Sequence, residues 1–147
     1  MTTRYLQVVA VALCAFLIGM PAMAQSNRPY KEGPVTELSY IKIKPGQYEN
    51  YMKYLAGPYK SLLEAEKKAG LIIGYAVYGT TARSPSEPDL ILAVTFPNMA
   101  ALDKSEEFEA LAAKVVGDEA TQSKGMIDRG AMREVLGSQI IRVLVLK

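Results

Sequence analysis

With no histidine and no tryptophan in the chain, any polar chemistry falls to tyrosine, arginine and the carboxylates. Tyr48, Tyr51, Tyr54 and Tyr59 recur along one stretch, after Tyr40 and before Tyr75 and Tyr78. A phenol offers flat apolar area and one hydroxyl, so such a stretch can wall a pocket for a flat or phenolic ligand. The same spacing fits helix packing. Tyr48, Tyr51 and Tyr59 fall on an apolar helical stripe, while Tyr54 lies off it.

Arginine supplies the anion chemistry. Arg142 is the one charge inside an apolar run, flanked by Ile140, Ile141, Val143 and Leu144. An unpaired charge there would cost several kcal/mol, so Arg142 needs a partner. Aligning the ends of the first and last strands sets Arg142 opposite Tyr40. That arrangement would make an anion site beside a phenol, or else an ion pair with an acid such as Glu37. Tyr78 and Thr95, on the middle strands, join Tyr40 and Arg142 as candidate ligand contacts. Arg129 and Arg133 stand four apart on an expected helix, where they could clamp a carboxylate or phosphate or tie the helix to acids elsewhere. Asp103, Glu106, Glu107 and Glu109 suit the positive end of a helix dipole, and no metal is assigned to them.

Residues 1–24 read as a secretory signal peptide. Arg4 precedes an apolar run over residues 6–20, Pro21 breaks it, and Ala22-Met23-Ala24 forms a small-x-small cleavage site. That run is shorter than the ~20 residues a spanning helix needs. The expected product is exported, periplasmic or secreted, cleaved after Ala24 and free of the membrane. Cys14, the single cysteine, leaves with the peptide. Residues 25–147 then have no cysteine or histidine, which excludes a Ser-His-Asp triad, a cysteine nucleophile, a Cys/His zinc site and a His- or Cys-ligated haem. No phosphate-binding glycine loop is present either, and no cofactor is assigned. Seventeen basic residues against 15 acidic give a net charge of +2, with no strong pull toward nucleic acid.

Residues 25–34 read as a flexible, polar lead-in to one domain over residues 35–147. Strands are expected at residues 35–44, 71–80, 90–96 and 139–147. A helix over residues 47–69 should kink or restart at Gly57-Pro58 and stop at Gly70. Asn98 is placed to cap a second helical region, through Phe108, Leu111 and Val115. Gly117 interrupts that region, a further helical stretch carries Ile127, Ala131 and Val135, and Gly137 stops it. The order βαββα(α)β is the split β-α-β, ferredoxin-like plan: an α+β fold with an antiparallel sheet and helices on one face. Another strand order is the alternative.

Strands two, three and four are apolar on both faces, yet helices cover only one face of such a sheet. A second copy, sheet against sheet, is the economical cover. An apolar–polar alternation is absent from these strands, and the sheet face predicts a homodimer.

A ferredoxin-like unit with a sticky sheet face resembles the dimeric α/β-barrel superfamily, and within it the small NIPSNAP-like and EthD-like domains. The resemblance rests on Tyr40-Ile-Lys-Ile-Lys-Pro-Gly entering a tyrosine-rich helix and Lys68-Ala-Gly-Leu-Ile-Ile-Gly-Tyr opening strand two. Asp128-Arg-Gly-Ala-Met-Arg-Glu-Val-Leu-Gly-Ser before the last strand is similar to exported members of unknown function. It implies a homodimeric α/β barrel whose interior binds a small organic ligand. It also admits a cofactor-independent oxygenase or isomerase using tyrosine and arginine, or a non-catalytic structural or stress-related module. Haem branches of the superfamily use a proximal histidine, which this chain lacks, and no catalytic residue carries over.

Overall fold

A computed structural model describes residues 28–147. The expected signal peptide, residues 1–24, lies outside the described residues. Residues 32–145 form one compact unit, which holds the sheet, the helices and the cavities described below. Arg28 to Lys31 belong, with Leu146 and Lys147, to a second unit, in which Lys147 N donates to the Pro29 carbonyl at 3.0 Å.

The elements run in order β1 (Tyr30–Ile43), α1 (Tyr48–Tyr54), a π-helical turn (Leu55–Tyr59), α2 (Lys60–Lys68), β2 (Gly74–Gly79) and β3 (Leu90–Phe96). A 3-10 turn (Met99–Asp103), α3 (Ser105–Val115), α4 (Glu119–Met132) and β4 (Arg133–Leu146) complete the chain. The four strands form an antiparallel sheet in the order β2-β3-β1-β4, which is the expected ferredoxin-like order. The sheet is open and does not close into a barrel within one chain.

β1 begins at Tyr30, so residues 30–34 are strand rather than lead-in. Gly33-Pro34 has the composition of a loop, but the glycine has another use. A Cβ on Gly33 would lie 3.1 Å from the Val143 Cβ, so only glycine lets β4 approach here. β4 likewise begins at Arg133 rather than at residue 139, and Gly137 lies inside it. α4 therefore ends at Met132, and Arg133 and Val135 are strand residues, not helical ones.

The Gly57-Pro58 break is absorbed rather than enforced. Pro58 has no N–H to donate, and the wider π turn carries the chain past it from α1 into α2. That extra residue per turn shifts the helical stripe. Tyr51 is fully buried and Tyr59 half-buried, as expected for the stripe, but Tyr48 is exposed. Gly70, at φ +74°, ends α2 in the left-handed region that favours glycine. Asn98 accepts from Ala101 N at 3.1 Å and caps the 3-10 turn before α3.

Two groups of core contacts fix the helices on one sheet face. Ile41, Leu90 and Leu92 pack with Tyr51 and Leu55, while Phe96 packs with Leu63, Ile72 and Ala101. Burying each large side chain of this kind contributes about 1.5–3 kcal/mol. The registers Ile41↔Leu90, Ser39↔Leu92, Glu37↔Val94 and Val35↔Phe96 put odd-numbered β1 residues on this helix face. The opposite face carries Leu38 and Tyr40 from β1, Ile91, Ala93 and Thr95 from β3, and Ala76 and Tyr78 from β2. The set Leu90, Leu92, Val94 and Phe96 meets the helices and the set Ile91, Ala93, Thr95 faces away, which is the division the two-faced strand requires.

Candidate functional site

A sheet face packed under helices is ordinarily apolar throughout. β1 departs from this at Glu37 and Ser39, which lie between Val35 and Ile41 on the helix face. Both open onto a cavity of about 220 Å³, bounded also by Tyr59, Leu92 and the first turn of β4, Arg133 and Val135. A direct passage from α4 into β4 is what brings Arg133 there. At φ −144° and ψ 165° the chain extends at Arg133 immediately after the last helical residue, so its side chain joins the sheet.

Two buried polar atoms at or beside this cavity lack hydrogen-bond partners. The Arg133 guanidinium lies 5.6 Å from the centroid of the Tyr51 ring, and its buried Nε has no hydrogen-bond partner. No acid among the described residues forms an ion pair with it. The Tyr51 hydroxyl is also buried without a partner, although Tyr51 itself is 0% exposed. Burial pushes the Tyr51 phenol up to about 12, against the opposing pull of Arg133. Burial raises the Tyr59 phenol further still, so both phenols remain proton donors at neutral pH.

An adjoining cavity of about 270 Å³ shares Glu37 and Val94 with the first and is lined on its far side by Glu66 and Phe108. Glu66 is the buried acid of α2, 8% exposed, and desolvation raises its carboxyl above the ordinary value. Glu37 thus stands where the two cavities meet, with a guanidinium at one end and a carboxyl that resists ionisation at the other. An arrangement like this can seat an anion on Arg133 and exchange protons with it through a carboxyl or a phenol.

The expected site residues separate into three places. Arg133 lines the inner cavity. Arg129 lies instead on the outer side of the helices, its guanidinium 5.5 Å from the centroid of the Tyr54 ring, in a groove of about 670 Å³. The two arginines are therefore no clamp, because one is helical and the other is in a strand. Tyr51 and Tyr54 stack between them with centroids 5.9 Å apart.

The third place is the sheet itself. Arg142 does not meet Tyr40 or Glu37. Its Nη1 pairs with Glu32 Oε2 at 2.6 Å, while the Tyr40 hydroxyl donates to Gln139 Oε1 at 2.8 Å. β1 and β4 each have 14 residues, so matching the ends of two shorter strands misplaced the register. Thr95 Oγ1 lies 3.0 Å from Thr36 Oγ1, and Tyr78, 56% exposed, flanks Ile91 on the open face across from Tyr40.

Glu37 as a cavity residue, Ser39 and Glu66 were missed by sequence reasoning. Their signal was parity: Glu37 and Ser39 alternate in step with Val35, Ile41 and Ile43, so they share a face with residues that must be buried.

No family model matches the chain, and no curated protein matches it. Solved structures do share its architecture. A dimeric ferredoxin-like protein from an uncultured marine organism superposes with a TM-score of 0.51 at 8% identity, over 80% of this chain and 98% of the other. A second protein of the same description gives 0.48 at 12% identity, over 80% and 90% of the two chains. HapK from Hahella chejuensis gives 0.48 at 13% identity, over 73% and 90%. At such identities the likeness concerns the fold, which is the ferredoxin-like α+β fold.

Proposed function

We propose that this chain is an exported homodimer, similar to the NIPSNAP-like and EthD-like proteins, that binds a small organic anion between its sheet and its helices. The observation that carries the ligand reading is the unpaired Arg133 guanidinium facing a cavity shared with Glu37, Ser39 and Tyr59. A ligand with a carboxylate answers Arg133, and a hydroxyl beside it answers Glu37 or Ser39. A helix-side ligand is supported over one between two sheets by the Tyr40 hydroxyl and Arg142 Nη1, which already have partners in Gln139 and Glu32.

Dimerisation follows from the other face. Tyr78, Ile140 and Leu144 are each 51–56% exposed, more apolar surface than soluble monomers usually leave in water on one face. Two such faces brought together by a two-fold axis form a self-complementary contact and a barrel. The dimeric description of the marine ferredoxin-like protein supports this reading. Export rests on the signal-peptide pattern of residues 1–24.

The test uses 2-hydroxybutyrate and its neutral amide in calorimetric titrations of the purified protein. The acid is expected to bind and the amide to bind at least about tenfold more weakly, the value of one charge-assisted pair. Arg133→Gln should remove the difference. Equal binding of acid and amide, or an unchanged Arg133→Gln protein, would contradict the assignment.

One observation favours a catalytic version. Glu66 and the protonated phenols give the same seam a proton acceptor and proton donors, which suits an isomerase that moves a proton next to a carbonyl. Solvent deuterium entering a bound 2-oxo acid at C3, and failing to enter with Glu66→Gln, would support it. No exchange would leave the non-catalytic binding role.

A further inference from the structure

A cavity larger than the one around Arg133 is the outer groove between the π turn, the end of α3 and α4, about 670 Å³ and within the ~300–1,000 Å³ typical of small-molecule sites. Its walls are mostly apolar, from Pro58, Val115, Val116 and Met132. Its charges are unequal. Lys124 Nζ and Asp128 Oδ2 pair at 2.9 Å and neutralise each other, which leaves Arg129 as the uncompensated charge. No acid among the described residues forms an ion pair with Arg129.

We propose that this groove is a second binding site, for an amphipathic monocarboxylate whose carboxylate sits on Arg129 and whose apolar or aromatic body lies along Val115, Val116 and Pro58. Three features make the groove fit such a ligand. The Arg129 guanidinium lies over the Tyr54 ring and has no acid among the described residues on its N–H groups, which suits a two-point contact with a carboxylate. Gly125 brings the helix backbone close to the charge, since a Cβ there would stand in ordinary contact, 3.4 Å from Arg129 Nη1. The π turn presents Pro58, which has no N–H to satisfy, at the apolar end.

This site is independent of the inner cavity, which contains none of these residues. A neutral hydrophobe would leave the Arg129 charge unanswered, and a small hydrophilic acid would leave the apolar wall wet. The ligand class is fixed by needing both.

The probe is 2-naphthoate, compared with neutral 2-naphthylmethanol, followed by amide chemical shifts of the purified protein. 2-Naphthoate should move the amides of Val116, Thr121 and Gly125, and the alcohol should bind at least about tenfold more weakly. Arg129→Gln should lose that difference. Gly125→Leu, which fills the groove and keeps the charge, should weaken 2-naphthoate to a similar degree, and melting curves show whether each variant is folded. Arg133→Gln should change the 2-naphthoate affinity by less than about twofold, because Arg133 does not line the groove. Equal binding of acid and alcohol, an unchanged Arg129→Gln protein, or shifts centred on Glu37 and Ser39 would overturn the proposal.

Discussion

The Arg133 guanidinium lies over the Tyr51 ring, 5.6 Å from its centroid, and each residue keeps a buried polar atom without a partner. A contact between a cation and a ring face is worth roughly 0.5–2 kcal/mol, yet an unsatisfied buried hydroxyl costs about 1–3 kcal/mol. The pair is thus built at the expense of stability, as groups held ready for a ligand are.

Tyr51→Phe isolates that cost. It removes the orphaned hydroxyl and keeps the ring under Arg133, so the ligand-free protein should be as stable as the parent or about 1 kcal/mol more stable. Tyr51→Ala should lose about 3–5 kcal/mol, because it empties the core beside Ile41 and Leu55. Urea unfolding of the three proteins distinguishes these outcomes. A large loss with phenylalanine would mean that the hydroxyl is satisfied within the protein.

Glu66 sets a pH dependence of definite sign. Burial raises its carboxyl above 4.5, so the unfolded chain releases this proton at lower pH than the folded one. Its contribution to stability is complete below the ordinary value and is lost as pH rises through the raised one. Glu66→Gln cannot ionise and should remove that decline. The check is unfolding free energy from pH 4 upward, and a parent protein whose Glu66-dependent stability grew with pH would refute the assignment.

The open sheet face can be charged without disturbing the core. Ile91 lies between Tyr40 and Tyr78 on that face, in the strand whose other face meets the helices. Ile91→Lys should give a folded monomer in sedimentation experiments at micromolar concentration where the parent is a dimer. A dimer that survived the substitution would place the interface elsewhere.

Much of this fold was legible in the residues. β3 was bounded by Pro97 and Asp89, Gly70 ended the first helical region, and the element order gave the sheet order. The long strands were not legible, because Gly33-Pro34 and Gly137 look like breaks when read locally. At Gly33 the strand holds because of a close approach to Val143 that only the paired sheet contains, while Gly137 has open space beside it and is carried by the strand around it. The same error moved the site. With β4 begun six residues late, Arg133 was read as a helix residue beside Arg129, and Arg142 was set against Tyr40. Glu37 was weighed only as a partner for Arg142, although its parity with Val35 and Ile41 already turned it toward the helices.

The central claim, that Arg133 is an anion receptor in a helix-side cavity, is tested most directly by the Arg133 Nε–Hε resonance of the purified protein during titration with 2-hydroxybutyrate. A buried Nε without a partner should gain one on binding, so its resonance should move saturably downfield, with the affinity seen by calorimetry, while that of Arg142 stays in place. Saturable binding that leaves the Arg133 resonance unmoved would contradict the account.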